Sequence, residues 1–202
     1  MVKLIADDIK TREVLDWKGM HVLHYWGSSC SQKLRIFLNM KGIQWQSHLV
    51  DLQANENFTP WFLGINPRGL VPVLVHDGTV HIESNDIITY LEKTFPTPKL
   101  IPAEYESEVA DLLKHEDDLH LDLRTLTFRF VFDPPGPPKS AEALKSYAVN
   151  GSGTVNGSPV DCMPCRHDPP KSADHTSLPS ALRSRVRADL PAPSLGRRSG
   201  GL

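Results

Sequence analysis

The chain has 202 residues, 40% of them apolar, and a formal net charge of -2 at pH 7. That balance gives no argument for nucleic acid or an anionic membrane surface, and no apolar run approaches the roughly 18 residues of a spanning helix. Three cysteines, an odd number, make no disulfide framework, and MVKLIADDIK lacks the unbroken apolar stretch of a secretory signal, so a cytoplasmic setting is expected.

In chain order, residues 1–20 carry Asp7, Asp8, Glu13 and Trp17 in a weakly helical pattern and read as a short extension lying on a domain. His21–Trp26 is apolar enough for a central strand. It ends in the small polar turn Gly27-Ser28-Ser29-Cys30-Ser31, and an amphipathic helix begins at about Ser29 and stops at Gly42. Gln44–Asp51 alternates as a second strand. Phe58–Ile65 has helix-compatible apolar spacing and closes at Asn66-Pro67. Gly69–Val75 runs from a loop into a strand, and His76-Asp77-Gly78-Thr79 predicts a hairpin to Val80–Ile82. Ser84 suits the N-cap of a helix that Phe95-Pro96 ends. This order predicts an α/β fold, a βαβ unit followed by an antiparallel ββα unit.

After a linker at 96–102, Glu104–Asp118 reads as a polar helix. From Leu119 to Phe132 apolar and polar residues alternate almost as in a strand, and Asp133–Lys139 (DPPGPPK) breaks regular structure. From Tyr147 onward Gly, Ser and Pro dominate without periodicity, which predicts a disordered tail over 147–202. The expected divisions are therefore 1–20, 21–95, 96–102, a partial helical domain at 103–146, and the tail.

The turn after Trp26 carries the chemistry. It sets two hydroxyls and a thiol at a helix start, where free N–H groups and the helix dipole favour negative charge. Cys162-Met-Pro-Cys165-Arg-His167 is half of a zinc set at best, so no metal is expected.

Three separated motifs, YWGSSCSQKLRIFLNMKGI, INPRGLVPVLVHDG and HIESNDIITYLE, resemble the N-terminal domain of the glutathione transferase superfamily. The likeness is greatest to its serine-type, zeta-like members with an SSCS turn. The resemblance implies a thioredoxin-like fold over 21–95, then helices, so that the segment from Glu104 to Phe132 is taken as one long helix. It implies glutathione as co-substrate, with Ser28 (or its neighbour Ser29) hydrogen-bonding the sulfur and Cys30 lining the site. It implies a cis Val71-Pro72 turn that offers the Val71 backbone to the cysteinyl residue. Glu83 and Ser84 would meet the γ-glutamyl end, and Asn57 the glycyl carboxylate; Arg68 reads as a solvated loop charge. The function so implied is a transferase that activates the glutathione thiol for attack on an electrophilic small molecule, as a homodimer. The helical second domain of that family is expected here in truncated or replaced form. That leaves two alternatives: a non-catalytic thioredoxin-fold module binding glutathione or a protein, or an inactive truncated product.

Overall fold

The computed structural model describes residues 2–130 and 139–160. A five-stranded sheet has the order β1-β5-β4-β2-β3, formed by β1 (Val2–Lys3), β2 (Met20–His24), β3 (Gln46–Leu49), β4 (Val73–His76) and β5 (Thr79–Ile82). β2 pairs parallel with β3 and antiparallel with β4, and β4 pairs antiparallel with β5. This is the predicted α/β, thioredoxin-like arrangement. Asp77 and Gly78 both take positive φ at the β4–β5 turn, the geometry that an Asp-Gly pair favours. Only glycine fits at 78, because an added Cβ would stand 2.0 Å from the Leu15 carbonyl oxygen.

Strand alternation divides the core between the two faces of the sheet. Leu23, Val73, Val75, Val80 and Ile82 face one way, against Phe62, Ile65, Leu4, Ile9 and Val14. Val22 and Leu74 face the other way, beneath α1 (Ser29–Met40) and α3 (Ser84–Thr94), where they meet Leu34, Leu38, Ile87 and Leu91. Between them, a short α2 (Pro60–Leu63) follows a 3-10 turn at Glu56–Phe58. The helix predicted at Phe58–Ile65 is thus a single turn, started by Pro60 and the Thr59 hydroxyl, which accepts from the Phe62 amide.

The N-terminal residues do more than lie on the domain. β1 pairs with β5 as the sheet edge, and Leu4, Ile9 and Val14 are buried in the core.

From Glu106 to Phe130 the chain is one helix, α4. It contains no Gly or Pro, and the local alternation of its second half does not prevail. Leu112, Leu119, Leu123 and Leu126, at helical spacing, share one face of α4 and are 40% to 59% exposed. The adjoining side, about a quarter turn round the helix, meets the domain through polar contacts. Lys33 pairs with Glu116 at 2.6 Å, and Asn85 donates to the Leu113 carbonyl at 3.1 Å and to Asp117 at 2.8 Å. No described helix is long and apolar enough to cross a membrane.

The segment expected to be disordered from Tyr147 begins with structure. Helix α5 (Ala141–Val149) is capped by Ser140, and a hairpin of β6 (Thr154–Val155) and β7 (Ser158–Pro159) turns at Asn156-Gly157. Val155 enters the core, and buried Asp8 accepts from the Thr154 hydroxyl and the Asn156 amide. These partners satisfy backbone groups that composition alone left without a place to go. The remaining expectations for the tail, including the Cys162, Cys165 and His167 pattern, fall at 161–202, outside the described residues. So do 133–138 of the predicted break.

Candidate functional site

Strand register gathers the site. Leu23 lies opposite Val73, so Tyr25, at the entrance of the turn after β2, is level with Val71. Leu74 lies opposite His81, so the end of β5 brings Glu83 level with Pro72. The Ser28 turn, the Val71-Pro72 step and the start of α3 therefore meet at one end of the sheet. The Val71-Pro72 peptide bond is cis, as the resemblance implies.

Ser28 is the N-cap of α1. Its hydroxyl oxygen accepts from the Ser31 amide at 3.3 Å, which leaves its proton free to donate elsewhere. The turn is held by the Ser28 amide on the Tyr25 carbonyl at 3.2 Å and by Gln32 on the Trp26 carbonyl at 3.0 Å. Ser29 is the first residue of α1 and is exposed; Cys30 follows, half-buried. The Cys30 sulfur lies 3.9 Å from Nε2 of His120, which α4 supplies, and the Arg124 guanidinium interacts with Cys30 electrostatically. At the end of β2, burial first, then Arg35 and His48, push the His24 pKa down and favour the neutral ring.

At the start of α3 the structure shifts the sequence assignment by one residue. Glu83 occupies the N-cap position with φ 66° and makes no side-chain cap, while buried Ser84 is the first helical residue. A glutamate at positive φ costs roughly 1–3 kcal/mol, and such strain gathers at functional sites. Arg68 is not the solvated charge expected; its guanidinium pairs with the Glu83 carboxylate and braces that residue. Asn57 is buried, and its amide donates to the Gly69 carbonyl at 2.7 Å. Its Oδ1 has no hydrogen-bond partner among the described residues.

One supporting contact was missing from the sequence reading. The fully buried Lys41 ammonium pairs with Glu92 at 2.5 Å and donates to the Phe95 and Pro98 carbonyls at 2.7 Å each. Burial alone would raise the Glu92 pKa, yet hydrogen bonds from Lys41 and the Ile101 and Leu100 amides hold it below the ordinary carboxylate value. The end of α1, α3 and the linker are thereby tied together. Only a lysine at the C-cap of α1 hinted at it.

An open depression of about 450 Å³ runs along the outer face of α1, lined by Ser29, Gln32, Lys33, Ile36, Phe37, Met40 and Ile88. It touches the turn only at Ser29, so the register-built sheet end, not this depression, is the candidate site. Among the described residues no cluster of three or more His, Cys, Asp or Glu side chains forms a metal site.

Residues 27–94 match the model of the glutathione S-transferase N-terminal domain. Over about a third of the chain, that segment is accordingly similar to the N-terminal domain of the glutathione transferase superfamily. Its homology extends to the zeta class: the chain is 45% identical over 80 residues to a zeta-class glutathione S-transferase of Euphorbia esula, covering 40% of this chain and 36% of that relative. It is 40% identical over 85 residues to a maleylpyruvate isomerase of Ralstonia sp, covering 42% and 40%. The beta-etherase LigF of Sphingobium sp. strain SYK-6 superposes with a TM-score of 0.57 at 28% identity, covering 68% of this chain and 58% of that one. The chain spans about two fifths of the length of the curated relatives it matches.

Proposed function

We propose that the sheet end binds glutathione and activates its thiol for attack on an electrophilic small molecule. The convergence of the Ser28 turn, the cis Val71-Pro72 step and the start of α3, within a segment matched to a glutathione transferase N-terminal domain, carries this reading. The tripeptide lies extended, its cysteinyl backbone paired with Val71 as an added strand would be. Ser84 and the first amides of α3 receive the γ-glutamyl carboxylate, and Glu83 its ammonium.

The energies are adequate. Lowering a thiol from a pKa of ~8.5 to about 7 needs roughly 2 kcal/mol of preference for the thiolate. A hydrogen bond to a charged group contributes roughly 1.5–3 kcal/mol, and a helix N-terminus about 0.3–1 kcal/mol. Ser28 donates that bond to the sulfur, because its proton is not used within the cap; Ser29 is the alternative donor, and Cys30 lines the same turn. Base in solution takes the thiol proton. The sulfur pair then forms the bond to carbon of the electrophile, and the broken bond's pair either leaves with a displaced leaving group or, at an activated double bond, moves to the far atom, which water protonates.

A second reading is a module that binds glutathione without turnover, with a truncated or replaced helical domain. The exposed Leu119, Leu123 and Leu126 favour it, since among the described residues that apolar face of α4 is left uncovered by a further helical layer. Retention of the full chain on immobilised glutathione, with a conjugation assay on wild type and Ser28→Ala, tests both. Retention with turnover lost in Ser28→Ala is the expected result. Retention without turnover selects the binding module, and no retention removes both readings.

A further inference from the structure

The sheet ends at β3 in a form open to a further strand. Among the described residues nothing pairs with its outer edge, since β2 is its one neighbour in the sheet. The Val50 amide donates inward to the His24 carbonyl at 2.8 Å, so alternation turns the backbone N–H and C=O groups of Ser47 and Leu49 outward. The opposite edge, β1, is two residues long and carries Lys3. By contrast, Gln46-Ser47-His48-Leu49 contains no Lys, Arg, Asp, Glu or Pro, the residues that blunt an edge against pairing. The edge is also held in place. The Ser47 hydroxyl lies 2.7 Å from His24 Nε2, and the Asp51 amide, just beyond the strand, donates to Glu56 at 2.6 Å.

Beside the end of this edge lies a depression of about 260 Å³, lined by Leu49, Val50, Glu56, Thr59, Trp61 and Phe62. Leu49 is 59% exposed and Trp61 41%, so two large apolar side chains flank it in water. Its surroundings are acidic. The Trp61 indole donates to Glu13 at 2.5 Å, Glu56 stands in the wall, and Asp51 follows the strand. Among the described residues none of these three carboxylates pairs with a lysine or arginine.

Each feature selects something in an occupant. Open N–H and C=O groups take an extended backbone, the apolar depression takes an aliphatic side chain, and the carboxylates take basic residues. Side chains two apart on a strand share a face at a spacing of about 7 Å, so basic residues belong two places either side of the aliphatic one. A second copy of this chain fits poorly, because it would set the same carboxylates against these. We propose that the β3 edge docks an extended, basic segment of a partner protein, which adds a sixth strand and seats an aliphatic side chain against Trp61.

Calorimetric titration of the full chain with the blocked pentapeptide Arg-Thr-Leu-Thr-Arg tests it, with hydrogen exchange read at Ser47 and Leu49. Binding that slows exchange at those two amides is expected, and about tenfold weaker binding once the peptide leucine is replaced by alanine. Leu49→Pro removes an outward N–H without touching the bonds to β2 and should abolish binding. Glu13→Gln keeps the acceptor for the Trp61 indole, removes one charge, and should weaken binding about threefold. Overturning results are no binding of the arginine peptide by wild type, equal binding of Glu-Thr-Leu-Thr-Glu, or unchanged exchange at Ser47 and Leu49. Binding unaltered by Leu49→Pro or by Glu13→Gln does the same. So does a wild-type dimer that Leu49→Pro dissolves, which gives the edge to a second copy, or displacement of the peptide by excess glutathione, which gives the depression to the sheet-end site.

Discussion

The sheet with α1 and α3 and the long helix α4 are built on different physics. In the first, Val22, Leu23, Leu34, Leu38, Leu74, Ile87 and Leu91 are buried on both sheet faces, and even a lysine is fully enclosed with its partner. In the second, the leucines face out and attachment runs through Lys33, Asn85 and the Cys30–His120 contact. Apolar burial is worth roughly 1.5–3 kcal/mol per large side chain, whereas a partly exposed ion pair is worth about 0–1 kcal/mol. The proposed glutathione side of the site therefore stands on the strongly held region, and its other side on the weakly held one.

That contrast can be broken by mutation. The largest effect is expected at Lys41: Lys41→Met leaves Glu92 buried without its partner and should cost about 3–5 kcal/mol in urea unfolding. Leu34→Ala should cost roughly 2–5 kcal/mol, against under about 0.5 kcal/mol for Leu123→Ala on α4. Comparable losses at Leu34 and Leu123 would erase the distinction between the regions.

The next effect is a pH dependence. His81 is 2% exposed, stacked on Tyr90 with ring centroids 4.1 Å apart, and burial first, then Lys3 and His76, lower its pKa to about 4. The unfolded imidazole titrates near ~6.5, so above that pH both states are neutral and the stability contribution is complete. As pH falls from about 6.5 towards 4 the unfolded chain takes up the proton first, and up to about 3 kcal/mol should be lost. His48 and His24, also lowered chiefly by burial, act in the same direction. Chemical denaturation across this range should give a shallower profile for His81→Phe than for wild type; identical slopes would remove His81 as the cause.

Smaller changes sharpen the borders of the two regions. Asp8→Ala removes the acceptor of Thr154 and Asn156 and should cost roughly 1–3 kcal/mol, with faster proteolysis within 150–160. Lys33→Met should change global stability by no more than about 1 kcal/mol, yet raise hydrogen exchange in α4 selectively. Uniform exchange would show α4 to be as firmly held as the sheet.

Period-two and turn chemistry made the sheet legible: the run before Gly27, the Asp77-Gly78 hairpin and the apolar spacing of α1 and α3 all carry local signals. Pairings between distant residues carry none. Nothing near Val2–Lys3 indicates an edge strand, since its partner is Ile82 and His81. The bonds from Lys41 to Glu92 and from Arg68 to Glu83 likewise join residues far apart in sequence. At the site, the Ser28 cap and the Val71-Pro72 step were readable, but the backbone of Glu83 moved the α3 cap from Ser84 to the residue before it. The hairpin at Asn156-Gly157 did have a local signal, an Asn-Gly pair, masked by the surrounding Gly, Ser and Pro. In α4 the alternation was genuine but short, and an unbroken stretch of helix-compatible residues outweighed it.

The most direct test of the central claim is the thiol pKa of glutathione bound to the full chain, read from the ultraviolet absorbance of the thiolate as pH is raised. Wild type should titrate well below the free value of ~8.5 and Ser28→Ala should return most of the way to it. A bound thiol that titrates as free glutathione does in wild type would contradict the account.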